Sequence, residues 1–593
     1  MYNYYSKYLC PTIPPVNPTD NQRHFLLKVA LATANRLEDY NNIIETLSPP
    51  AEITTILAPG SLKGMNIGII GGGLAGLASA YELRKLGCDI TVYDALKDRV
   101  GGRVYTYFFD KKRNLYGELG PMRIPVSHET TWHYINKFHL NTRPFVQVNE
   151  NAFIYVRNIR VRNYSEGKNV KEKIYPQFNL TPWERNASWQ ELILYGLLTP
   201  LYMLSPMVRK EILQILPRYS KSLLYWTGLN IRQVMEVMGL SQEAINLISS
   251  IAPLAGSFYY NSYIEILQEE YPVSFSSPYE IVNGTFNLPL GFYQSLMSID
   301  PKDYDHIPKE ALGKVEWKSG TWINSINYSL DRDKVTLQYS DKYCNHNGFE
   351  EFDYVVCAIP YSTLRNVNVN PLFSTMKMQA IKEATYSNAQ KALFLCKNRF
   401  WEKQGIVGGG SYTDLPISSI WYPSDHAMAI CNSNNTKPYC CESPIDNWGL
   451  IPGASPNEPG VLLASYNFTQ DAIRLGNINN TRRFREIKDQ VSAVHGLNSK
   501  YIDSIVDDFK SIEWYKEEAF KGAFCYFSPE QRKLFAYVMS LPEYNGKLVF
   551  AGEHISPSHG WMQGALNTGM KAANQIAIDF IKNPNGNKSN PAK

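Results

Sequence analysis

The chain has 593 residues, of which 44% are hydrophobic and 19% charged, and its formal net charge is +4. This length exceeds one simple core and predicts two or three domains, while the near balance of charge argues against a nucleic-acid-binding surface. No apolar stretch approaches the roughly 20 residues of a membrane span, and the N-terminus lacks the basic and apolar regions of a secretory signal. We therefore expect no nucleic acid, no membrane span and a cytoplasmic location.

The first 64 residues precede any recognisable motif. Helical spacing predicts a helix around residues 24–47, and a linker that contains prolines, "SPPAEITTILAPGSLKG", follows it. We interpret residues 1–64 as an N-terminal extension that packs on, or caps, the main body. If the extension covers the substrate entrance as a propeptide, trimming it is expected to raise activity.

Residues 65–95, "MNIGIIGGGLAGLASAYELRKLGCDITVYDA", carry the strongest local signal. A short apolar strand leads into Gly71, Gly73 and Gly76 in the pattern G-x-G-x-x-G, and an amphipathic helix and a second strand follow. The second strand ends in Asp94, 18 residues after the last glycine. The first glycine permits the tight turn, the second lets the backbone approach a pyrophosphate, and the third lets helix and strand pack closely. The segment predicts a dinucleotide-binding unit with the anion at the helix N-terminus.

The pattern beyond this unit changes three times. Between about 180 and 270 the apolar residues recur at helical spacing, which predicts a helical subdomain. β-like segments follow, including "KVEWKSGTWINSINYSL" and the buried strand "DYVVCAIP", and residues 385–470 alternate as strands do. Residues 542–580 return to strand, loop and helix. We predict a nucleotide domain assembled from three separated segments, with a substrate domain threaded between them.

Two further segments indicate which nucleotide is bound. After the second strand comes "LKDRVGGRVYTY", in which Gly102 and Arg103 offer backbone N–H groups and a cation near the phosphates. Residues 546–577 contain a strand that ends in Gly552 and Glu553, then a helix with small residues along one side. A second strand–glycine–acid–helix unit suits a long cofactor with contacts at both ends, and it favours FAD over NAD.

These segments resemble the flavin amine oxidase superfamily, specifically the L-amino acid oxidases of venom and bacterial type. The stretches "YGELGPMRIPVSHETTWHYINKF", "KALFLCKNRFWEKQGIVGGGSYTDLP", "GVLLASYNFTQDA" and "FAGEHISPSHGWMQGAL" resemble that family's segments in the same order, and the similarity covers residues 65–580. The resemblance implies an α/β fold with a Rossmann-like FAD-binding domain built from separated segments, a mixed-sheet substrate domain and a helical subdomain. The corresponding boundaries are 1–64 for the N-terminal extension, 65–125, 282–370 and 542–582 for the FAD-binding domain, 126–180 and 371–541 for the substrate-binding domain, 181–281 for the helical domain and 583–593 for a disordered tail.

The resemblance also implies a set of contacts to FAD. Asp94 would hold the adenosine ribose, Glu553 would bond the ribityl chain, and Val315 would contact adenine through its backbone. Trp514 would shield the isoalloxazine. Residues 558–561 contain no cysteine for covalent attachment, so the FAD is expected to be non-covalent. The implied cofactor residues are Gly71, Gly73, Gly76, Asp94, Gly102, Arg103, Met122, Arg123, Val315, Trp514, Gly552, Glu553, Trp561 and Met562.

Arg123, directly after "GPM", decides the substrate class. Its planar two-pronged donor matches a carboxylate, and the resemblance implies that it clamps the substrate α-carboxylate together with Tyr466. Lys391 matches the lysine that holds a water near flavin N5. Trp561 would form a wall beside the substrate α-carbon, and the Gly560 carbonyl would accept from the amino group. The alternatives are a helix-capping surface arginine, a solvated strand lysine and ordinary core tryptophans.

The reaction that the resemblance implies is FAD-dependent oxidative deamination of an L-amino acid. Once the amine is neutral, a hydride passes from the α-carbon to flavin N5, and the protein supplies position and electrostatics. Oxygen reoxidises the flavin to give hydrogen peroxide, and the imino acid hydrolyses to a 2-oxo acid and ammonia. The expected partners are an L-amino acid and molecular oxygen, in a homo-oligomer that is a dimer. The implied catalytic residues are Lys391, Arg123, Tyr466 and Trp561.

The sequence departs from the venom enzymes in two places. Glu269 stands where those enzymes place a histidine near the substrate; it would pair with a basic side chain, or it is simply an exposed helix residue. Phe524 matches a position in the pocket wall that suits an aromatic or aliphatic side chain instead. Cys396 matches a disulfide cysteine whose partner position is Val506 here, so that bridge is expected to be absent. The nine cysteines also contain no C-x-x-C pair, which argues against a metal site.

Three other functions remain open at this point. An amino-acid 2-monooxygenase would use the same scaffold but decarboxylate the bound imino acid to an amide. An amine or polyamine oxidase is disfavoured by Arg123, since simple amines need no carboxylate clamp. A flavin-binding protein without catalysis is disfavoured by the intact set Arg123, Lys391, Tyr466 and Trp561.

Overall fold

The structure is a computed structural model of the chain. It describes residues 13–164, 167–252, 256–343, 346–430 and 448–583. The tail predicted to be disordered lies outside the described residues, apart from Asn583.

A five-stranded parallel sheet forms the centre of the nucleotide domain. Its strands come from all three of the chain segments predicted to build this domain, and all but the edge strand Val315–Ser319 are largely buried. Because all neighbouring pairs are parallel, the carboxyl ends of the strands meet at one edge, which is where ligands bind in open α/β sheets. The strands in spatial order are Leu548–Phe550, Tyr354–Cys357, Asn66–Ile70, Asp89–Asp94 and Val315–Ser319.

Two long helices cover one face of this sheet. The helices Leu74–Lys85 and Met562–Lys582 pack on each other through small residues. A Cβ at Gly569 would lie 2.4 Å from the carbonyl oxygen of Ala75, and the Ser79 hydroxyl donates to the Gly569 carbonyl at 2.9 Å. The small residues predicted along one side of the C-terminal helix therefore face the glycine-loop helix. On the other face of the parallel sheet lies a four-stranded sheet of His346–Phe352, Lys334–Asp341, Thr321–Ser329 and Asn368–Asn370.

A seven-stranded mixed sheet is the core of the second domain. Its apolar side chains form a separate buried cluster with the helix Asn480–His495. In spatial order its strands are Val506–Glu513, Ala389–Cys396, Gly460–Phe468, Ser419–Trp421, Gly410–Thr413, Phe153–Val156 and Ile159–Arg162. Smaller elements include Thr106–Asp110, Leu115–Glu118, Glu129–Lys137, Thr142–Pro144, Tyr279–Ile281, Asn287–Met297, Thr375–Glu383, Thr469–Gly476, Ser499–Ile505 and Phe524–Cys525.

The region predicted to be helical consists of short helices. New helices begin at polar N-caps such as Ser205 and Ser241, whose hydroxyls accept from the backbone in the first turn. Among the described residues no single helix is long and apolar enough to cross a bilayer; one bent pair, Trp189–Met203 with Pro206–Leu213, passes that test when both arms are joined. The helices are Pro182–Asn186, Trp189–Ile193, Thr199–Met203, Pro206–Lys210, Lys221–Thr227, Ile231–Val237, Gln242–Ile251 and Tyr263–Glu270.

The N-terminal extension is part of the main core. The single helix predicted over residues 24–47 is wrong, because the chain forms Asp20–Thr33 and Tyr40–Leu47 with a break at Asn35, whose φ is +53°. Asparagine tolerates this left-handed conformation, which no helix can continue. The apolar faces of both helices are buried in the largest hydrophobic cluster of the protein.

Candidate active site

The glycine-rich loop brings two backbone segments together at the start of the helix Leu74–Lys85. Gly71 has a φ of +106°, which side-chain-bearing residues rarely adopt. A Cβ at Gly76 would lie 2.0 Å from the carbonyl oxygen of Gly71, so only glycine lets this helix pack on the strand. Gly73 caps the helix and pairs with Gly101 of the second glycine pair. The two segments form one anion-binding concavity at the helix N-terminus.

Asp94 lies at the carboxyl end of its strand with half of its carboxylate unsatisfied. Its Oδ1 accepts from the Leu96 N–H at 3.1 Å, whereas Oδ2 is buried and has no partner among the described residues. Burial raises the pKa of this carboxyl to about 7. A buried acceptor without a donor is costly, and the vicinal hydroxyls of a ribose are donors of the right kind.

A cavity beside Asp94 extends along the carboxyl edge of the parallel sheet. Residues 71–73, Asp94 and residues 321–324 line it. The prediction that Val315 contacts adenine is wrong, because Val315 pairs with Ile90 at the amino end of the strands while Ser319 pairs with Asp94. Four residues of strand, about 13 Å, separate Val315 from the ligand edge. The backbone at this edge belongs to residues 321–324 instead.

Glu553 and Arg103 form an ion pair at the opposite end of the glycine loop. Arg103 Nη1 donates to Glu553 Oε1 at 2.7 Å, and the backbone N–H groups of Cys525 and Gly560 donate to the same carboxylate at 3.1 and 3.0 Å. Burial opposes ionisation, but Arg103 holds the pKa of Glu553 below its usual range. Gly552, just before it, has a φ of +141°. This acid is thus fixed as a carboxylate.

A central cavity connects the two ends of the loop. It shares Gly73, Arg103 and Ala358 with the cavity beside Asp94, so the two cavities adjoin. Trp514 is fixed in its wall, because its indole N–H donates to the Leu119 carbonyl at 2.9 Å. Predicted site residues that line the central cavity are Gly73, Arg103, Lys391, Tyr466, Trp514, Phe524, Gly552, Glu553, Gly560, Trp561 and Met562.

These features together fit FAD. The loop offers the backbone cradle for a pyrophosphate, and Gly102 lies close enough that a Cβ there would be 3.2 Å from the Gly73 Cα. The unpartnered oxygen of Asp94 is placed for the ribose. Among the described cysteines, Cys88, Cys357, Cys396 and Cys525, none lines the two cavities.

Arg123 lies beyond the central cavity in a smaller one next to it. The residue is 9% exposed, and Nη1 donates to Gln147 Oε1 at 2.9 Å. The rings of Phe275 and Trp421 lie 5.0 Å from its guanidinium carbon. Among the described residues no carboxylate pairs with it. The alternative of a helix-capping surface arginine is therefore wrong.

Lys391 and Tyr466 face each other across two strands of the mixed sheet. They are register partners, and the ammonium lies 4.3 Å from the centre of the phenol ring. Lys391 Nζ donates to the Gly120 carbonyl at 2.6 Å and lies 3.6 Å from Met122 Sδ. Burial lowers the pKa of this lysine to about 7, and Glu118 opposes the shift. Lys391 is 2% exposed, so it is not a solvated strand residue.

Glu269 occupies the same small cavity as Arg123. It lies near the end of the helix Tyr263–Glu270 and accepts from the Trp561 indole N–H at 3.2 Å. No ion pair within 4 Å joins Glu269 to Arg123 among the described residues. Burial raises the pKa of Glu269 to about 8, and Arg123 opposes that rise. The alternative of an exposed helix glutamate is wrong.

Aromatic side chains enclose this cavity. A Cβ at Gly560 would lie 3.3 Å from the Phe524 ring, which shows how closely the two approach. Phe258, Phe275 and Tyr526 were not predicted, and they line the cavity with Phe524. Gln147 was missed too, because it lies in an irregular extended segment without apolar periodicity. One signal could have pointed to Gln147. The match of "PMR" to a carboxylate clamp implies a buried arginine, and a buried arginine needs a hydrogen-bond acceptor nearby.

The strand pairing agrees with the predicted position of the missing disulfide partner. Cys396 and Val506 are register partners on adjacent strands of the mixed sheet. Cys396 is a buried free thiol.

Comparison with known proteins gives the family. The sequence model described as flavin containing amine oxidoreductase matches residues 74–577. An L-amino acid oxidase named bordonein-L from Crotalus durissus terrificus is 29% identical over 523 residues, covering 87% of this chain and 88% of its own. An L-amino-acid oxidase from Notechis scutatus scutatus is 28% identical over 509 residues, covering 86% of each chain.

Solved structures confirm the predicted fold class. Putrescine oxidase bound to putrescine superposes with a TM-score of 0.62 at 15% identity, covering 87% of this chain and 99% of its own. Cyclohexylamine oxidase from Brevibacterium oxydans IH-35A gives 0.59 at 17% identity, with the same coverage. At such identities the likeness shows the fold alone.

Proposed function

Since the chain belongs to the flavin-containing amine oxidoreductase family, we propose that it oxidatively deaminates an L-amino acid. The family supplies FAD as the cofactor. Its relatives from Crotalus durissus terrificus and Notechis scutatus scutatus, both named L-amino acid oxidases, support the amino acid as substrate class. The absence of a cysteine from the described cavity walls supports non-covalent binding.

The observation that carries this proposal is Arg123. A buried guanidinium without a carboxylate partner among the described residues has a large desolvation cost. An α-carboxylate would satisfy it in a two-pronged geometry, which is the strongest type of charged hydrogen bond. Gln147 and the flanking rings already hold the fork in place. Oxidation of a simple amine would not use this residue.

The neighbouring side chains position the rest of the substrate. We assign Tyr466 to the second contact of the carboxylate, because it lines the same cavity as Arg123. The Gly560 carbonyl is assigned to the amino group. Lys391, with its pKa lowered to about 7 by burial, can hold a water and exchange a proton near neutral pH. FAD, when bound, accepts the α-hydrogen as a hydride and passes its electrons to oxygen, which becomes hydrogen peroxide.

We also propose that the preferred substrate side chain is basic. Glu269 lies in the Arg123 cavity with a single indole N–H as its protein partner among the described residues. A cationic head group would ionise and pair with it. The aromatic walls that include Phe524 suit the apolar stem of such a side chain. Glu269 and Phe524 are thereby compatible with one substrate class.

An aerobic panel of the twenty L-amino acids tests the reaction. Peroxide, 2-oxo acid and amide are recorded together on the purified yellow protein. We expect peroxide and 2-oxo acid in equal amounts, with L-arginine or L-lysine among the best substrates. Amide without peroxide would make the protein a monooxygenase, and bound flavin that no amino acid bleaches would refute the proposal.

Substitution at Arg123 tests the carboxylate clamp. Arg123→Met should lower kcat/KM for the best amino acid by about 100-fold or more, because a buried charged pair is lost. The rate with the corresponding decarboxylated amine should change little, since that amine never used the clamp. Retention of the flavin absorption spectrum shows that the variant is folded. Equal losses with amino acid and amine would contradict the assignment.

A further inference from the structure

A second cavity lies on the other side of the wall around Arg123. Met122 lines both this outer cavity and the small cavity of Arg123. Phe145 and Trp421 line the outer cavity, and their rings lie 5.9 and 5.0 Å from the Arg123 guanidinium carbon. The two spaces therefore share the Met122 side chain, and the rings of Phe145 and Trp421 bring the outer cavity close to the Arg123 guanidinium. Met122 is unbranched and flexible, which suits a movable partition.

The outer cavity contains two arginines with different surroundings. Arg399 uses both of its Nη atoms on Asp425, at 2.6 Å each. Arg143 uses only Nε, which donates to Glu280 at 2.5 Å. No described residue accepts from its two Nη groups, and its side chain is 23% exposed. The outer cavity thus contains one available guanidinium fork, of the kind that binds a carboxylate in two-pronged fashion.

One extended segment connects this fork with Arg123. Thr142–Pro144 is a strand that pairs with Tyr279–Ile281, and Phe145 continues it by donating to the Pro278 carbonyl at 2.9 Å. Alternate residues of an extended chain face the same side at a spacing of about 7 Å. Arg143, Phe145 and Gln147 alternate in this way: the first two line the outer cavity, and the third holds Arg123.

We propose that the Arg143 cavity is an outer binding site for the carboxylate of the substrate, occupied before the carboxylate reaches Arg123. This inference rests on the proposed function. Two arginines and three acids, Glu118, Glu280 and Asp425, line the cavity. Burial raises the pKa of Glu118 to about 7, so the opposite charges nearly balance and a zwitterion meets no large net charge barrier. The substrate moves inward from one fork to the next past Met122, Phe145 and Trp421. Arg143 is a binding residue of the entrance, and it takes no part in the chemical step.

Anaerobic stopped-flow reduction of the bound flavin tests the outer site. The probe is the L-amino acid that bleaches the wild-type flavin fastest in the panel of twenty. The variant is the double substitution Arg143→Gln with Glu280→Gln, which leaves no unpaired buried charge. We expect the second-order rate at low substrate to fall about tenfold, because the two-pronged contact to the carboxylate is lost. The limiting rate at saturating substrate should stay within twofold of wild type.

Two further variants make the result decisive. Arg143→Lys keeps the ion pair with Glu280 but lacks the two-pronged fork, so it should lower the same second-order rate by a smaller factor. This variant tests the outer site even if the double variant does not fold. Arg332→Gln is the control, because Arg332 is 63% exposed and pairs with Glu351 away from the cavity. Wild-type second-order rates in Arg143→Lys and in the double variant would overturn the outer site alone. A wild-type flavin that no amino acid bleaches would instead overturn the proposed function and this site with it.

Discussion

Arg123 and Glu269 share a cavity, yet their ionisation responds differently to it. Arginine stays charged through the physiological range even though burial lowers its pKa. Burial raises the pKa of Glu269 to about 8, so this carboxyl is mostly neutral at neutral pH until a cation pairs with it. The site therefore contains a permanent clamp for the α-carboxylate and a titrating group for the side chain.

The pH dependence of side-chain selectivity tests Glu269. The ionised fraction of a carboxyl with a pKa of about 8 rises from about 10% at pH 7 to about 90% at pH 9. We therefore expect the ratio of kcat/KM for L-arginine to that for L-leucine to rise about tenfold over this range. Titration of Lys391 or of the substrate amine affects both substrates and cancels in the ratio.

Glu269→Gln supplies the control for that measurement. The variant keeps an acceptor for the Trp561 indole but cannot ionise, so its ratio should be flat with pH and close to the low-pH value of wild type. A wild-type ratio that does not change between these pH values would exclude Glu269 from side-chain recognition.

Asp94 gives a second prediction, on stability. Its folded pKa is about 7, above the value of 3.8 expected without burial. The group therefore contributes stability below about pH 4 that is lost as the pH rises through about 7. The melting temperature of the flavin-free protein should fall across this range, and Asp94→Asn should flatten the fall. Added FAD should raise the melting temperature more at pH 8 than at pH 5 in wild type but not in Asp94→Asn. The same pH difference in the variant would contradict the ribose contact.

At this scale the sequence identifies residues that lie in contiguous motifs. The loop glycines, Asp94 and Arg123 each lie in a short pattern whose physical purpose is visible without the fold. Gln147 and the Arg143 fork act only after the chain has brought distant segments together, so no local pattern marks them. Val315 shows a different error. The resemblance identified the correct strand but assigned the adenine contact to its amino end, whereas the ligand edge is at the carboxyl end.

At the scale of elements, the loop helix depends on the absence of a side chain at one position. Gly76→Ala would place a Cβ 2.0 Å from the Gly71 carbonyl oxygen, where only movement of the backbone can relieve the overlap. We expect a loss of about 1–3 kcal/mol from overpacking and a purified protein largely free of flavin. Ala80→Gly in the same helix is the control, because it costs about 1 kcal/mol without a clash and should keep its flavin. Full flavin content in Gly76→Ala would show that the loop tolerates the shift.

Strands that belong to a single sheet were predictable from the sequence, whereas a run that passes from one sheet to another was not. The strands Asn66–Ile70 and Tyr354–Cys357 are apolar runs buried on both faces, so pattern alone reveals them. The β-like run at 315–329 instead serves two sheets. Gly320, with a φ of +69°, ends the strand of the parallel sheet and starts a strand of the four-stranded sheet. Nothing in the alternation of side chains marks that change of partner.

At the scale of the whole molecule, the N-terminal extension forms hydrogen bonds to the backbone of segments that carry Glu269 and Arg123. Arg36 donates to the carbonyls of Tyr271 and Glu270 at 2.9 Å each, and so fixes the end of the helix that carries Glu269. Arg23 donates to the Val126 carbonyl at 2.7 Å, three residues beyond Arg123. A segment that packs into the core and binds the backbone next to Glu269 and three residues beyond Arg123 does not resemble a removable cover.

We therefore expect removal of the extension to lower activity, whereas the propeptide hypothesis predicts that it raises activity. Removal of residues 1–47 should lower both the melting temperature and the activity, because it exposes the core and releases the Glu269 helix. Arg36→Ala removes these two hydrogen bonds and the buried ion pair with Asp39. It should lower stability by about 3 kcal/mol or more, and selectivity for basic amino acids should fall. Thr33→Ala, at an exposed position of the same segment, should change stability by less than about 0.5 kcal/mol. A trimmed protein that melts like the full chain and turns over faster would restore the propeptide.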